Sequence, residues 1–474
     1  SQLRDAVLEW TIQLNEQAIG LAKTQISAPA SVRSEMTFAN GQIIAAANSS
    51  SAWIKGLDGE LRTLTGAEAG AAKLQAILDA SHLIDYKKAN VAARVASLGD
   101  SGSEPAFIVE FSTRGGARLV YYFSRATGLI TRIDDDAQKT TTRFSDYRAV
   151  DGLIQPHLIK IDLQRTGQLT LGLQKARYNT GLARSVFDPP RAAETLNVPE
   201  LLRLVARNQD ELEQRFTEYS FLKKETDREI NSKGEVKKET VRVVEVFPVA
   251  NREPILKLIS ENGVALSGDR AAKEEKRVQE EFLKAERDKD KNEQRQRKIR
   301  AERQRKREAK GQEQDDDVEI SQFLKACEFV SPRRERFRDR DAVVFDFRPR
   351  PGFRPSNRQE DLISKLVGVV WIDPADKQVM RLEARLAEGF KMAGGLLFSV
   401  RPGAAFAMEQ TRMNEGVWLP RLAQINLSMK VLLFGGGDLN KTIEWSDYKH
   451  FSGDVRDYKL DAPKANDSSA DKKP

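Results

Sequence analysis

The stretch Tyr122–Ile133, YFSRATGLITRI, consists of two short apolar segments joined at Thr127-Gly128, and the stretch Trp371–Leu382, WIDPADKQVMRL, is similar to it. A glycine beside a small polar residue is typical of a tight turn between strands. Three further pairs of segments recur in the same order. They are Ile77–Ile84 (ILDASHLI) with Phe323–Val330 (FLKACEFV), Ala106–Phe111 (AFIVEF) with Ala342–Phe347 (AVVFDF), and Asp151–Leu163 (DGLIQPHLIKIDL) with Glu415–Leu427 (EGVWLPRLAQINL). One such block could arise by chance, but four collinear blocks indicate that one kind of domain is used twice.

The length of the chain agrees with two domains. It has 474 residues, which is more than one hydrophobic core usually serves, and 40% of them are hydrophobic. We place the first unit at residues 1–190 and the second at residues 191–461, with a charged helical insertion at 271–318. Residues 462–474 are rich in polar and charged residues and contain no large hydrophobic residue, so we expect a disordered tail.

Each unit is expected to begin with a helix. Apolar residues recur at spacings of three and four between Leu3 and Leu21, which predicts an amphipathic helix over residues 1–23. Pro199 suits the first turn of a second helix, whose apolar face extends to Phe216. Strand-like runs separated by turn signals follow the first helix. These runs lie at 34–38, 42–47, 52–57, 107–112, 117–123 and 129–133, and a further helix is expected at 67–84.

The net charge of +7 is concentrated in one segment. Between Lys273 and Lys310 there are 16 Lys and Arg residues against 10 Asp and Glu, so the rest of the chain is close to neutral. Val278, Phe282 and Ala285 can anchor the first turns of a helix, but the segment beyond them is polar on nearly all faces. We therefore expect this segment to project into solvent or to fray.

Eight basic residues of this segment are candidates for contact with an anionic partner. They are Arg295, Arg297, Lys298, Arg300, Arg303, Arg305, Lys306 and Arg307. Nucleic acid is disfavoured, because no aromatic residue is interleaved with them and no nucleic-acid-reading motif surrounds them. An anionic membrane surface, an acidic protein and a solvated helix without a dedicated ligand stay open.

The residue types limit the chemistry that the chain can perform. Cys327 is the only cysteine and the three histidines are scattered, so we expect no disulfide framework and no metal site of the His/Cys type. For Cys327, burial is favoured over a reactive thiol. The sequence Gly-Asp-Ser-Gly at 99–102 matches the nucleophile motif of chymotrypsin-like proteases, but a loop before a strand is the better interpretation. We expect no catalytic residue, metal or cofactor, and hence no enzyme.

Six aromatic residues lie in or beside predicted strands, where they would line one face of a curved sheet. They are Trp53, Phe123, Trp371, Trp418, Phe434 and Trp445. A helix packed against that face leaves either a filled core, which is the commoner outcome, or an apolar cavity. These six side chains are the candidate lining of a ligand site.

Two stretches resemble the lipoprotein localisation factor family of periplasmic carriers and outer-membrane acceptors. Tyr121–Ile161 is similar to that family's YY-x-x-x-T-G-L strand pair and to its F-S-D-Y-x-x-V-D-G-x-x-x-P strand. In the second half, VWIDPADKQVMRLEA, NEGVWLPRLAQINL and TIEWSDY resemble the same family. The resemblance implies an α+β fold of two tandem unclosed antiparallel β half-barrels, each capped by helices, whose apolar interior accepts acyl chains. No residue here matches a family ligand-binding arginine, and the absence of an N-terminal lipobox cysteine gives no support for membrane anchoring.

The sequence therefore predicts a non-enzymatic protein that binds a lipid, a lipoprotein acyl chain or another hydrophobic ligand. The resemblance implies the periplasm or cell envelope of a diderm bacterium, with a leader removed. The alternative is a structural or interaction protein with filled cores, which binds an acidic partner or a membrane surface through its basic helix. A hydrolase is a third and much weaker hypothesis, because no clustered catalytic constellation is found.

Overall fold

Two large antiparallel sheets make up most of the computed structural model. The structure describes residues 3–102, 104–163, 167–192, 197–216, 218–231, 236–249, 253–287, 322–392, 398–400, 403–413, 416–431 and 435–450. The N-terminal sheet contains strands β1 to β13 and the C-terminal sheet contains β14 to β26. The architecture is therefore mostly β with few helices. The finer assignment to the α+β class stays a prediction.

The strands of the N-terminal sheet are β1 Asp5–Leu14, β2 Gln17–Ser27, β3 Ser31–Phe38, β4 Gly41–Ala47, β5 Ala52–Lys55, β6 Leu61–Thr63, β7 Val91–Ser101, β8 Glu104–Thr113, β9 Arg118–Ser124, β10 Ile130–Asp135, β11 Thr140–Val150, β12 Leu153–Leu163 and β13 Gly167–Tyr178. Those of the C-terminal sheet are β14 Tyr219–Ile230, β15 Val236–Phe247, β16 Ile255–Glu261, β17 Val264–Ala265, β18 Cys327–Phe337, β19 Arg340–Pro349, β20 Leu366–Asp373, β21 Gln378–Leu386, β22 Phe390–Met392, β23 Phe398–Val400, β24 Ala405–Arg412, β25 Trp418–Val431 and β26 Gly435–His450. The helices are α1 Gly66–Ala80, α2 Val198–Phe216, α3 Gly268–Arg287 and α4 Arg358–Ile363, and residues 322–326 are also helical.

In both sheets the first strand pairs with the last. The N-terminal order is β6-β5-β4-β3-β2-β1-β13-β12-β11-β10-β9-β8-β7, and the main path of the C-terminal sheet is β17-β16-β15-β14-β26-β25-β24-β21-β20-β19-β18. The similar segments Tyr122–Ile133 and Trp371–Leu382 form the hairpins β9–β10 and β20–β21. Counted from the last strand, these two hairpins occupy the same places in their sheets. Within the described ranges the two end strands of each sheet do not pair, so neither sheet closes.

The prediction of a helix at residues 1–23 is wrong, because β1 and β2 occupy this region. β1 lies between β2 and β13, and it is paired along its length with both. Leu8, Trp10 and Ile12 alternate along β1 and are buried in one core, as a strand requires. The same stretch also fits a helical spacing, and the partner that decides between the two lies more than 150 residues away in the chain.

The helices predicted at 67–84 and at 199–216 are confirmed as α1 and α2. The apolar side of α1 packs on the N-terminal sheet, where Leu74 and Leu78 are fully buried against Phe111 and Leu119. Each such leucine contributes about 1.5–3 kcal/mol of burial free energy. The face of the N-terminal sheet that carries α1 is therefore a packed core.

The C-terminal sheet has a corresponding core under α2. Leu202 and Val205 of α2 pack with Phe345, Phe347 and Cys327 of the sheet. Cys327 is fully buried, which confirms the expectation of a small buried hydrophobe. Packed side chains therefore fill this face as well.

The start of the charged insertion is helical, as predicted. Val278, Phe282 and Ala285 are the buried residues of α3, and the first two pack against Phe247 and Ile255. The description of α3 ends at Arg287. The remainder of the insertion lies outside the described residues, as do all eight basic candidates between Arg295 and Arg307 and the tail 462–474.

Candidate functional site at the junction of the two sheets

The predicted aromatic residues of the N-terminal sheet are core residues. Trp53 is fully buried, and its indole Nε1 donates a hydrogen bond of 3.2 Å to the carbonyl oxygen of Phe187. Phe123 is partly buried and stacks on Tyr121, with 6.1 Å between the ring centroids. Both side chains stabilise the sheet that carries them.

The predicted aromatic residues of the C-terminal sheet are placed similarly. Trp371 and Trp418 are buried in one core, and the Trp418 Nε1 donates to a carboxylate oxygen of Asp376 at 2.9 Å. Trp445 is half-buried on β26, and Phe434 lies outside the described residues. None of the five described aromatic residues lines either of the two cavities between the sheets. A role for them in ligand contact stays a prediction.

A buried ionic cluster joins the two sheets. Arg333 on β18 is 1% exposed, and its guanidinium donates to Glu335 at 2.6 Å and to Asp346 at 3.1 Å. Thr63 of the N-terminal sheet donates its backbone N–H and its hydroxyl to Glu335, at 2.8 and 2.6 Å. Ser51 donates its hydroxyl to Asp346 at 2.5 Å. Both carboxylates therefore have partners in both sheets.

Two adjoining cavities also lie between residues of the two sheets, and we call them together the junction cleft. Their volumes are about 240 Å³ and about 230 Å³. Both are lined by Lys73 of α1, Arg385 of β21 and Ala405 of β24, and so by both sheets. Ligand clefts in proteins commonly measure about 300–1,000 Å³. Taken together, the two cavities reach that range.

One wall of the junction cleft is charged because successive side chains of β21 point to opposite faces of the sheet. Arg381, Glu383 and Arg385 line the first cavity, whereas Leu382 of the same strand packs in the core under α2. Arg381 is paired, since it donates to Glu383 at 2.7 Å and to Glu409 at 2.7 Å. The Glu383 carboxylate is therefore already engaged by a neighbouring cation.

Lys73 and Arg385 approach the same loop from the two sheets. The Lys73 Nζ donates to the carbonyl oxygen of Ser50 at 2.9 Å, and Arg385 donates to that of Ser49 at 2.9 and 2.7 Å. The side-chain oxygen of Asn48 holds this loop by accepting the N–H groups of Ser50 and Ser51, at 2.8 and 2.9 Å. Burial lowers the pKa of both cationic side chains. Part of the Lys73 surface stays accessible, and that part faces the cleft.

A second polar group lies under α1. The Asp79 carboxylate accepts a hydrogen bond of 2.7 Å from the side-chain amide of Gln75. Burial in the surrounding protein raises the pKa of Asp79 to about 7. Burial also raises the pKa of Tyr121. The Asp79 carboxyl therefore changes its charge near neutral pH.

The Gly-Asp-Ser-Gly motif is part of a hairpin. Gly99 and Ser101 belong to β7, and Gly102 follows with a φ of +71°. The prediction of a loop before the next strand is therefore wrong for Gly99, Asp100 and Ser101, which are part of β7, and only Gly102 of the motif lies outside the strands. In the described ranges no group of three or more His, Cys, Asp and Glu side chains could hold a metal ion. No described helix is both long and apolar enough to span a membrane.

Sequence reasoning missed the junction cleft, although two signals for it were present. The segment Arg381–Arg385, RLEAR, alternates charged and apolar residues within a predicted strand pair. Lys73 is the only cation in the apolar helix segment AAKLQAILDA. Charges in such surroundings indicate either a structural ion pair or a ligand site.

Comparisons with known proteins give low similarities. No family model matches the chain, and no curated protein matches it. Among solved structures, a DUF1329-family protein from Desulfovibrio piger is 15% identical at a TM-score of 0.28, covering 40% of this chain and 91% of its own. A LolA-superfamily protein from Nitrosomonas europaea is 10% identical at a TM-score of 0.28, covering 40% of this chain and 90% of its own. These similarities are too low to assign the chain to a family.

Proposed function

We propose that the protein is a non-enzymatic binding protein for an amphiphilic or hydrophobic ligand, such as a lipid or a lipoprotein acyl chain. It would act in the periplasm or envelope of a diderm bacterium. Its two units would comprise residues 1–190 and 191–461, in line with the corresponding strand orders of the two sheets. The ligand would bind in the junction cleft.

The observation that carries this proposal is the mixed lining of the cleft. Ile77 of α1 lines the second cavity, and Phe406 and Ile425 of the C-terminal sheet line the first. Apolar walls with a few polar groups are typical of small-molecule sites. Burial of apolar surface would supply about 25 cal/mol per Å² before the costs of association.

The experiment that tests this proposal is native mass spectrometry of the protein secreted by a diderm host, followed by organic extraction. The expected result is a stoichiometric lipid or acylated peptide. Ala405→Trp, which fills space between the two cavities, should abolish this adduct, whereas Ala93→Trp on the exposed face of β7 should keep it. Circular dichroism would show that both variants fold. An apo mass that takes up no added fatty-acyl probe would refute the proposal.

A second candidate is a structural or interaction protein, and the packed cores under α1 and α2 favour it. The basic residues between Arg295 and Arg307 would then contact an acidic protein or an anionic membrane surface. Deletion of residues 288–310 separates the two candidates. A carrier keeps its ligand after this deletion, whereas an adaptor loses binding to anionic vesicles or to its partner.

A further inference from the structure

We infer that the second cavity of the junction cleft is an anion-binding site, which receives the carboxylate or phosphate group of an amphiphile. Its basic groups are Lys73 and Arg385, which come from different sheets. The inference rests on the proposed function only for the apolar part of the ligand. The binding of the anionic group is inferred from the charges of Lys73 and Arg385 alone.

Neither cation has a carboxylate partner among the described residues. Within the part of the chain that the structure describes, no carboxylate lies within 4.0 Å of Lys73 or Arg385, and their hydrogen bonds go to backbone carbonyls. The nearby acids serve other cations, since Glu383 is bonded to Arg381 and Asp346 to Arg333. A buried cation is costly unless an anion accompanies it. Two of them at one cavity leave a positive charge for a ligand to neutralise.

Other groups that line this cavity also suit an anion. Arg114 is a third basic side chain in the lining, and Asn426 adds a side-chain amide that can donate to an oxyanion oxygen. No aspartate or glutamate lines the cavity among the described residues. Charge-assisted hydrogen bonds from such donors are about twice as strong as neutral ones. The lining therefore selects for an anion.

The same cavity also has an apolar side. Ile77 lies four positions after Lys73 on α1, so the two side chains are neighbours on one face of the helix. A ligand with an anionic group and an attached hydrocarbon would contact both kinds of surface. A volume of about 230 Å³ holds the headgroup and only the beginning of a chain. The adjoining first cavity would receive the continuation.

The experiment compares three probes by isothermal titration calorimetry on the full chain. The probes are dodecyl phosphate, dodecanol and inorganic phosphate. We expect dodecyl phosphate to bind about tenfold or more tightly than dodecanol, because a hydrogen bond to a charged group is worth more than one to a hydroxyl. Lys73→Met should remove most of this preference. Lys88→Met, at an exposed lysine paired with Asp85, should leave it unchanged.

Each outcome has one meaning. Equal binding of dodecyl phosphate and dodecanol would overturn the anion site while leaving the proposed carrier function intact. Binding of inorganic phosphate alone, lost in Lys73→Met, would establish the anion site and refute the carrier function. No binding of any probe, or an unchanged preference in Lys73→Met, would overturn the inference. Because the comparison of probes uses the unmodified protein, it stands even if a variant fails to fold.

Discussion

Replacing Arg333 by methionine should destabilise the protein strongly. The side chain is 1% exposed, and it bonds to Glu335, Asp346, the carbonyl oxygen of Ser331 and the hydroxyl of Thr63. Methionine keeps much of the volume but none of the five donors. Two carboxylates would then stay buried at the junction without their cation. Their remaining donors come from the N-terminal sheet.

The magnitude follows from the burial of the partners. Removing one member of a buried ion pair typically costs about 3–5 kcal/mol, because the remaining charge is left uncompensated. The Glu335 and Asp346 side chains are 1% and 2% exposed, so solvent offers them little compensation. We therefore expect a loss of about 3–5 kcal/mol in the free energy of unfolding.

Urea unfolding followed by circular dichroism and tryptophan fluorescence measures this loss. The matched control is Arg336→Met, an exposed arginine on the same strand, which should change stability by less than about 0.5 kcal/mol. Thr63→Val tests whether the cluster acts across the junction. Combined with Arg333→Met, it should show a coupling energy of at least about 0.5 kcal/mol. If Arg333→Met behaves like Arg336→Met, the cluster does not stabilise the junction and the reasoning is refuted.

Three further predictions follow from single side chains. Asp79→Asn should stabilise the protein more at pH 8 than at pH 5, by about 3 kcal/mol. The free energy of unfolding decreases as the pH rises between the unfolded pKa of 3.8 and the folded-state pKa of about 7, and the comparison includes the part of this interval above pH 5. Urea titrations at both pH values check this, and equal effects would contradict it. Gly368→Ala should lower the free energy of unfolding by about 1–3 kcal/mol or more, because a Cβ there would overlap the carbonyl oxygen of Glu383. The control Gly115→Ala should be tolerated, because the nearest atom to its Cβ would lie at 3.7 Å. Equal melting temperatures of the two variants would refute this. Burial raises the pKa of Cys327 to about 12, so a thiol reagent should label it only after unfolding, and rapid labelling of the native protein would show that the site is open.

The parts of the fold that local sequence determines could be predicted. Thr127-Gly128 marks the hairpin β9–β10, and the apolar faces of α1 and α2 mark two helices that the structure contains. These signals depend on residues within a few positions of each other. The turn and the helical face are therefore legible without knowledge of the rest of the chain.

The N-terminal strand could not be predicted in this way. Residues 5–14 satisfy both a helical and a strand pattern, since Trp10 and Leu14 belong to both sets. The decision is made by the pairing of β1 with β13, which provides backbone partners at Ala6–Tyr178 and further along the strand. Such long-range pairing overrides a local helical pattern.

The candidate site could not be located for a related reason. The aromatic residues were chosen because they lie in strands, but in the described part of the chain Trp53, Trp371 and Trp418 complete cores. The cleft lies where two sheets meet, so its residues are remote in sequence. Lys73 and Arg385 are brought together only by the tertiary arrangement.

The junction contains two kinds of buried cation, and their difference is the physical basis for proposing a ligand. Arg333 is surrounded by carboxylates and hydroxyls, which offset the cost of its burial. Lys73 and Arg385 donate hydrogen bonds to backbone carbonyl oxygens, and both line the second cavity. If these two residues served only to hold the sheets together, apolar side chains of similar size would do so at lower cost. An anion that enters the cavity would supply the missing countercharge, and it would couple ligand binding to the stability of the junction.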